Sequence, residues 1–172
     1  IDGAAVIFSA VEGVEAQSEK VWRQADNYSV PKIAFVNKMD RIGASFERTV
    51  EQINSKFDNC AAPIYLPDGA ENTFNGIIDV IAKEYVSFAG ERNAEVIRKP
   101  LPAEYESQWT EAYETLLNKI GDYSDEIAEM FLNEEEIPRE KLIAELRRLT
   151  IERKLVPILV GSAKKNMGIQ LL

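Results

Sequence analysis

Three short apolar runs, each followed by polar or turn-forming residues, constrain the fold of this chain more than any other feature. They lie at 4–11, 32–37 and 63–66, and the stretches between them, 15–28 and 45–57, carry apolar residues at helical spacing. Short, nearly continuous apolar runs are typical of strands buried on both faces of a parallel sheet. The sequence therefore predicts a strand–helix–strand–helix–strand order and a parallel α/β sheet, with the first strand buried on both faces.

The alternating pattern stops near residue 67 and resumes with a further apolar run at 156–160. Between these points the sequence predicts two short strands and three helices, at 77–81, 84–88, 103–120, 124–132 and from 139 onward. In the last strand, Pro157 favours a position at the strand start or at a sheet edge, because proline lacks an N–H donor. We therefore predict that 1–67 and 156–172 form part of one α/β domain, and that 68–155 form an inserted α+β subdomain.

The net charge of −9 comes entirely from the predicted insert, since residues 68–155 contain 20 acidic and 11 basic side chains while the remainder contains nine of each. One interpretation is a solvated helical surface, and the other is an acidic lobe that faces a basic partner. An acidic chain lacks the basic stripe with which general nucleic-acid and membrane-surface binders contact phosphates. We therefore expect neither DNA nor a membrane as a partner.

Two residue types that carry much enzyme chemistry are scarce here: histidine is absent and Cys60 is the one cysteine. The composition excludes histidine acid–base catalysis, Ser-His-Asp triads and histidine metal sites within this chain. It also excludes an intrachain disulfide and a cysteine metal cluster. We expect no catalytic residue and no metal site in this chain, and a single thiol fits the reduced cytosol.

The segment Asn37-Lys38-Met39-Asp40 follows the second predicted strand, at the edge of a parallel sheet where ligands commonly bind. A fixed carboxylate at that edge can accept hydrogen bonds from adjacent N–H donors. Guanine presents such donors at N1 and N2, and adenine does not. The amide of Asn37 can contact a ring nitrogen, and the stem of Lys38 can lie over a purine. The alternative interpretation is a polar turn after a strand.

The segment Gly161-Ser162-Ala163 follows the strand predicted at 156–160. By itself it is a common turn at a strand end, and a structural role alone would explain it. Its position also favours a functional role, because the strand at 156–160 is the strand of the sheet that follows Asn37–Asp40 when the predicted insert is left out. A small residue with a free backbone N–H at that point can approach a base oxygen closely.

Together these two segments resemble the base-recognition motifs of the translational GTPases. Further positions are similar to the elongation factor G family, at 2–4, 13–14, 17–19, 21–25, 31, 33–41, 43–44, 46, 69–71, 76–79 and 161–163. The resemblance covers the whole chain and is loosest between 90 and 155. One departure is Asp68, where the family more often has an apolar residue. The resemblance implies the C-terminal part of a P-loop-GTPase-like parallel sheet with an inserted α+β subdomain.

The resemblance also implies six nucleotide-binding residues: Asn37, Lys38, Met39, Asp40, Ser162 and Ala163. Asp40 would accept from guanine N1 and N2, while Asn37 would contact the N7 and O6 side and tie the two loops together. Lys38 would cover the base and Ser162 would brace Asp40. The backbone N–H of Ala163 would donate to guanine O6.

No G-x-x-x-x-G-K-[ST] phosphate-binding loop occurs in the chain. In the resembled family that loop, the switch regions and the Mg²⁺ site lie upstream of a residue like Ile1, and both ends of the sequence look cut. We therefore expect a fragment of a GTP-binding domain that carries guanine recognition for GTP or GDP but not hydrolysis, and that is inactive alone.

The resemblance implies a cytoplasmic, ribosome-dependent GTPase that drives translocation of tRNA and mRNA, with the insert engaging a ribosomal stalk protein. Two alternatives remain open from the residues. One is an acidic protein-interaction module that docks a stalk protein, whatever the parent does. The other is a fragment of a different translational GTPase, of the release-factor or ribosome-protection type. A doubly wound enzyme without GTPase activity is the remote option, because a fold alone does not fix function.

Overall fold

Two four-stranded sheets organise the computed structural model, which describes all 172 residues. The strands are β1 (Ala4–Ser9), β2 (Lys32–Asn37), β3 (Ala61–Pro63), β4 (Tyr65–Asp68), β5 (Gly76–Asp79), β6 (Glu84–Ala89), β7 (Glu95–Pro100) and β8 (Val156–Val160). The helices are α1 (Ala16–Asn27), α2 (Phe46–Lys56), α3 (Glu106–Gly121), α4 (Asp125–Leu132) and α5 (Arg139–Ile151). The predicted mixed α/β class, with a parallel sheet and an α+β addition, is confirmed. None of the five helices is both long and apolar enough to cross a bilayer.

The parallel sheet has the strand order β1-β2-β8-β3, so the last strand of the chain lies inside it. The prediction that Pro157 marks a strand start holds, because it is the second residue of β8, but the alternative of a sheet edge is wrong. Pairing between β2 and β8 begins only at Ile158, opposite Ala34. The missing N–H of Pro157 therefore precedes that ladder and removes no bond from it.

Strand β1 departs from its prediction, because only one of its faces is buried. Val6 and Phe8 are buried, whereas Ala5 is exposed and the side chain of Ile7 is 51% exposed. The Val6 and Phe8 face lies in the core, where Phe8 contacts Trp22 of α1, and the opposite face carries the exposed Ala5 and Ile7. The apolar run therefore predicts the strand correctly, but its prediction that both faces of the strand are buried is wrong.

The third predicted strand, at 63–66, is two strands in two different sheets. Strand β3 pairs with β8 in the parallel sheet, and β4 pairs with β5 in the antiparallel sheet. Ile64 lies between them, donating its N–H to the Ile158 carbonyl (3.1 Å) and accepting from the Val80 N–H (3.0 Å). The chain therefore changes sheets at a single residue whose backbone is bonded to both.

The antiparallel sheet has the order β4-β5-β6-β7, and helices α3, α4 and α5 follow it in the chain. Strand β7 was not predicted, because all six of its residues are exposed and it has no buried face to create a pattern. The predicted boundary between 67 and 68 falls inside β4, so the division of the chain into domains stays a prediction. Buried side chains of both sheets and all five helices form one continuous core.

Candidate functional site

The two candidate loops meet at one edge of the parallel sheet. Because β2 pairs with β8, with Val36 opposite Val160, the loops that follow these strands start side by side. The backbone N–H of Met39 donates to the carbonyl of Gly161 at 3.2 Å. Segments more than 120 residues apart in sequence are thus brought together at the carboxyl ends of the strands, where parallel sheets place their ligands.

The first direct link between the loops joins Ser162 to Asp40. The Ser162 hydroxyl donates to Asp40 Oδ1 at 2.7 Å, and it accepts from the Lys165 N–H at 3.2 Å. Ser162 is fully buried, so this contact has one fixed geometry. Asp40 Oδ2 has no protein partner, and Oδ1 keeps a second lone pair.

The charge state of Asp40 follows from these contacts. Partial burial acts to raise the pKa of its carboxyl, but the hydrogen bond from Ser162 and a backbone N–H favour the ionised form. The nearby charges of Lys165 and Arg41 act in the same direction, and the net result is a pKa below the ordinary value. Asp40 is therefore an acceptor at neutral pH, with lone pairs available to N–H donors.

The second link joins Asn37 to Ala163. Asn37 Oδ1 accepts a hydrogen bond from the Ala163 N–H at 2.9 Å, while its side-chain nitrogen has no protein partner. This N–H is the donor that the resemblance assigns to guanine O6, and in the present structure Asn37 engages it. A base oxygen would have to share this donor with Asn37 or displace it.

The other two residues of the motif lie differently. Lys38 has φ of +66°, in the left-handed region that non-glycine residues rarely adopt except where the surroundings hold them. Its half-exposed ammonium lies 3.6 Å from Glu12 Oε2. The Met39 side chain is 1% exposed and packs in the core, so any contact of Met39 with a ligand would come from its backbone.

The donor and acceptor set fits a guanine base. A braced carboxylate matches two adjacent N–H donors, and the free amide nitrogen of Asn37 matches a ring acceptor. The same set offers no equivalent match to the amino and acceptor groups on the corresponding edge of adenine. No group of three or more acidic or cysteine side chains in the chain is placed to hold a metal ion.

Two side chains of the acidic segment also contact these loops, and neither contact was predicted from the sequence. Glu71 Oε1 accepts from the Gly43 N–H at 2.8 Å, and Asn93 Nδ2 donates to the Lys165 carbonyl at 2.8 Å. The segment 69–71 stands out in the sequence as one that resembles a known family. Nothing in the sequence, however, predicts the contact between Glu71 and Gly43, which lie 28 positions apart.

A family model described as the elongation factor Tu GTP-binding domain matches the chain over residues 1–172. The chain belongs to this family. It is 44% identical over 170 residues to an elongation factor G of Fervidobacterium nodosum, an alignment that covers 99% of this chain and 25% of that protein. The resemblance to the elongation factor G family, noted above from the motifs, is therefore confirmed.

A similar fold occurs in a crystal structure of a protein from Thermus thermophilus. The TM-score is 0.84 at 24% sequence identity, and the match covers 99% of this chain and 25% of that one. At this identity the likeness establishes the fold. The chain spans about a quarter of the length of the elongation factor G that it matches.

Proposed function

We propose that this chain is the guanine-recognising part of the GTP-binding domain of a ribosome-dependent GTPase of the elongation factor G type. That protein would convert GTP to GDP and phosphate while driving movement of tRNA and mRNA in the cytoplasm. The observation that carries the proposal is the double link between the two loops, Ser162 to Asp40 and Ala163 to Asn37. It holds a carboxylate and an amide at fixed positions on one sheet edge, as recognition of one base requires.

Each residue of the site then has a role. Asp40 accepts from guanine N1 and N2, and Ser162 holds the carboxylate in place. Asn37 contacts the N7 and O6 side and joins the loops, the stem of Lys38 covers the base, and the Ala163 N–H donates to O6. When GTP is bound, its phosphates and Mg²⁺ supply the reacting groups, and we propose that residues outside this chain hold them.

A comparison of magnitudes favours an inactive chain. Two charge-assisted hydrogen bonds that Asp40 accepts from the base contribute about 3–6 kcal/mol at most. The loss of ligand freedom on binding costs about 4–15 kcal/mol. Without a phosphate-binding loop, the chain alone should neither hydrolyse GTP nor bind it tightly. Titration of the isolated chain with a fluorescent GDP tests this expectation, and micromolar binding would contradict it.

The base assignment is tested by Asp40→Asn in the full-length protein. An amide places an N–H donor where guanine also has a donor, so GTP should bind more weakly, while xanthine nucleotides, with an oxygen at position 2, should bind better. Competition binding between GTP and XTP measures the preference. Asp58→Asn is the matched control, because Asp58 is exposed just after α2 and lies near Lys32 and Val156, which begin β2 and β8 at the end of the sheet opposite the site. Continued preference for GTP in the Asp40 variant would reject the assigned role.

A second proposed role belongs to the acidic segment 68–155, here called the acidic lobe. A groove of about 780 Å³ lies between α3 and the α4–α5 connection, with Trp109, Tyr113 and Phe131 on its floor. Glu134, Glu135 and Glu136 line its rim. An apolar floor with an acidic rim suits a basic, partly apolar protein surface. We propose that a stalk protein of the ribosome docks here.

The docking proposal predicts binding that weakens with salt. Replacing Glu134, Glu135 and Glu136 together by Lys should lower affinity for the purified stalk protein about 10-fold or more and flatten the salt dependence. A matched control carries the same charge change on the α2 side of the molecule, at Glu47, Glu51 and Asp58. Equal affinities for the two triple variants would reject the groove as the docking site.

The alternative of another translational GTPase remains to be separated from this proposal. A release-factor or ribosome-protection relative would share the base site and the sheet. The full-length protein, added to ribosomes with tRNA and mRNA, should advance the mRNA by one codon in the presence of GTP. Ribosome-stimulated GTP hydrolysis without such movement would favour the alternative.

A further inference from the structure

Glu71 makes two hydrogen bonds that flank the base-recognition residue Asp40, donating in one and accepting in the other. The Glu71 N–H donates to the Met39 carbonyl at 2.7 Å, just before Asp40 in the sequence. The Glu71 carboxylate accepts from the Gly43 N–H at 2.8 Å, three residues after it. The loop that presents Asp40 is thus fastened on both sides to one residue of the acidic lobe.

The backbone around Glu71 is itself held in an unusual conformation. Glu71 has φ of +60°, a left-handed value that is unfavourable for a residue with a Cβ. The turn is closed by Thr73, whose hydroxyl donates to the Ala70 carbonyl at 2.7 Å and accepts from the Ala70 N–H at 3.2 Å. A conformation of this kind persists only where surrounding contacts hold it, and it is frequent at functional sites.

A second part of the lobe holds the other loop. Asn93, in the turn between β6 and β7, donates from Nδ2 to the Lys165 carbonyl at 2.8 Å. The contact is reciprocal, because Asn166 Nδ2 donates to the Arg92 carbonyl and Gln170 Nε2 to the Asn93 carbonyl, both at 3.0 Å. Lys165 also donates its N–H to the Ser162 hydroxyl that braces Asp40.

We propose that Glu71 and Asn93 are positioning residues for guanine recognition, together called the clamp. Neither touches the base; each holds one of the two loops that do. The clamp rests on the proposed function and deepens it, because it makes discrimination by Asp40 depend on the seating of the acidic lobe. A ligand of the lobe that moved either turn would change affinity for guanine nucleotides, and the coupling would be reciprocal.

The first test needs no nucleotide and uses the chain described here. In Glu71→Ala, the Gly43 amide loses its acceptor, so its hydrogen exchange should accelerate about 10-fold or more. Glu71→Gln keeps an oxygen acceptor and should remain near the wild type. The control is Glu91→Ala, an exposed glutamate of the lobe whose side chain makes no hydrogen bond. Unchanged exchange of Gly43 in Glu71→Ala would overturn the clamp.

The second test separates positioning from general loosening, in the full-length protein. Hypoxanthine, the base of IDP, keeps N1–H but lacks the 2-amino group. Displacement of Asp40 should therefore weaken the binding of GDP more than the binding of IDP. We expect Glu71→Ala to weaken GDP binding about 10-fold and to lower the GDP-to-IDP preference about 3-fold, with Glu71→Gln restoring both. Asn93→Ala should act in the same direction and serves if Glu71→Ala does not fold.

The outcomes distinguish the two proposals. Equal weakening of GDP and IDP binding would mean a merely structural role for Glu71 and would overturn the clamp. If the wild-type protein bound neither nucleotide, the proposed function would fail, and the exchange of Gly43 would still decide whether Glu71 holds the loop.

Discussion

The parallel sheet and the acidic lobe share one core but differ in charge and in the shape of their surfaces. Around the parallel sheet, acidic and basic residues balance, and the candidate site is a pair of short loops at adjacent strand ends. The lobe carries the whole net charge of −9 and exposes a groove between helices. In general, a few fixed polar groups suffice to recognise a small ligand, whereas a protein-binding surface depends on contact area and charge.

The two regions also differ in how tightly their aromatic residues are packed. In the parallel-sheet region, Trp22 is 2% exposed and stacks on Phe57 with ring centroids 4.2 Å apart. In the lobe, Trp109 is only half-buried, stacks on Tyr113 at 4.8 Å and donates its N–H to the Val80 carbonyl. The better-buried ring should contribute more to the stability that both regions share.

The largest expected effect comes from removing each tryptophan in turn. Trp22→Ala should lower the free energy of unfolding by about 4 kcal/mol, because it leaves a cavity in a closed core. Trp109→Ala should cost about 2 kcal/mol, because solvent already reaches that ring. Urea unfolding measures both. Equal losses would mean that the two regions do not differ in packing, and Trp22→Phe provides a milder variant at the same position.

The fold was predictable from the sequence where burial leaves a pattern. Strands β2 and β8 were predicted from short apolar runs, and both lie inside the sheet. Strand β7 left no such pattern, because solvent surrounds all of its residues. The change of sheets at Ile64 was also missed, since one continuous apolar run can serve two strands whose partners lie far away in the sequence.

The candidate site was likewise predictable only where a sequence pattern indicates it. The two motifs were identified because their residues follow strands, and the structure brings Asp40 to Ser162 and Asn37 to Ala163. The roles of these residues toward a base stay predictions. The clamp could not be found from the sequence, because the contact of Asn93 with Lys165 joins residues 72 positions apart through tertiary structure alone.

The next effect concerns the attachment of the lobe to the parallel-sheet region through Lys119. Its ammonium, on α3, donates to the Asn59 carbonyl and to Asn54 Oδ1, both at 3.0 Å, and to the Ala61 carbonyl. Lys119→Met keeps the length but removes the donors, and should lower the free energy of unfolding by about 2 kcal/mol. Lys20→Met, at an exposed position on α1, should change it by less than about 0.5 kcal/mol.

The same variant has a second readout at Cys60. Burial raises the pKa of this thiol to about 11, while the charge of Lys119 acts to lower it. Losing that cation should raise the pKa of the thiol further and slow its reaction with a disulfide reagent at a pH of about 8. Faster reaction in folded Lys119→Met would show instead that the substitution opens the region around Cys60.

A smaller effect is expected at the link between the loops. In Ser162→Ala, Asp40 loses the hydroxyl that favours its ionised form, so the pKa of Asp40 should rise and stability should fall by about 1 kcal/mol at neutral pH. Carbon NMR titration of the Asp40 carboxyl measures the pKa. Ser107→Ala, exposed on α3, is the control, and an unchanged Asp40 pKa in Ser162→Ala would remove Ser162 from its bracing role.

The direction of the pH dependence follows from the same contact. The pKa of Asp40 is lower in the folded protein than its ordinary value of 3.8. The folded form therefore binds fewer protons than the unfolded chain, and Asp40 contributes stability above that ordinary value. The contribution should disappear as the pH falls through the lower, folded pKa. In Ser162→Ala the folded and unfolded pKa values of Asp40 lie closer together, so the variant loses part of this contribution to stability at neutral pH. In strong acid Asp40 is protonated in both states, and this loss should vanish.

The smallest effect on stability is expected at the open edge of the parallel sheet. Ile7 faces solvent on β1 while its neighbour Val6 is buried, so Ile7→Lys should change the free energy of unfolding by less than about 0.5 kcal/mol, far less than the same substitution at Val6. An exposed edge with an apolar residue favours pairing between copies, and a charge opposes it. Sedimentation at increasing concentration should therefore show less self-association for Ile7→Lys than for the wild type. Severe destabilisation by Ile7→Lys would mean that this face of β1 is packed in solution rather than open to solvent.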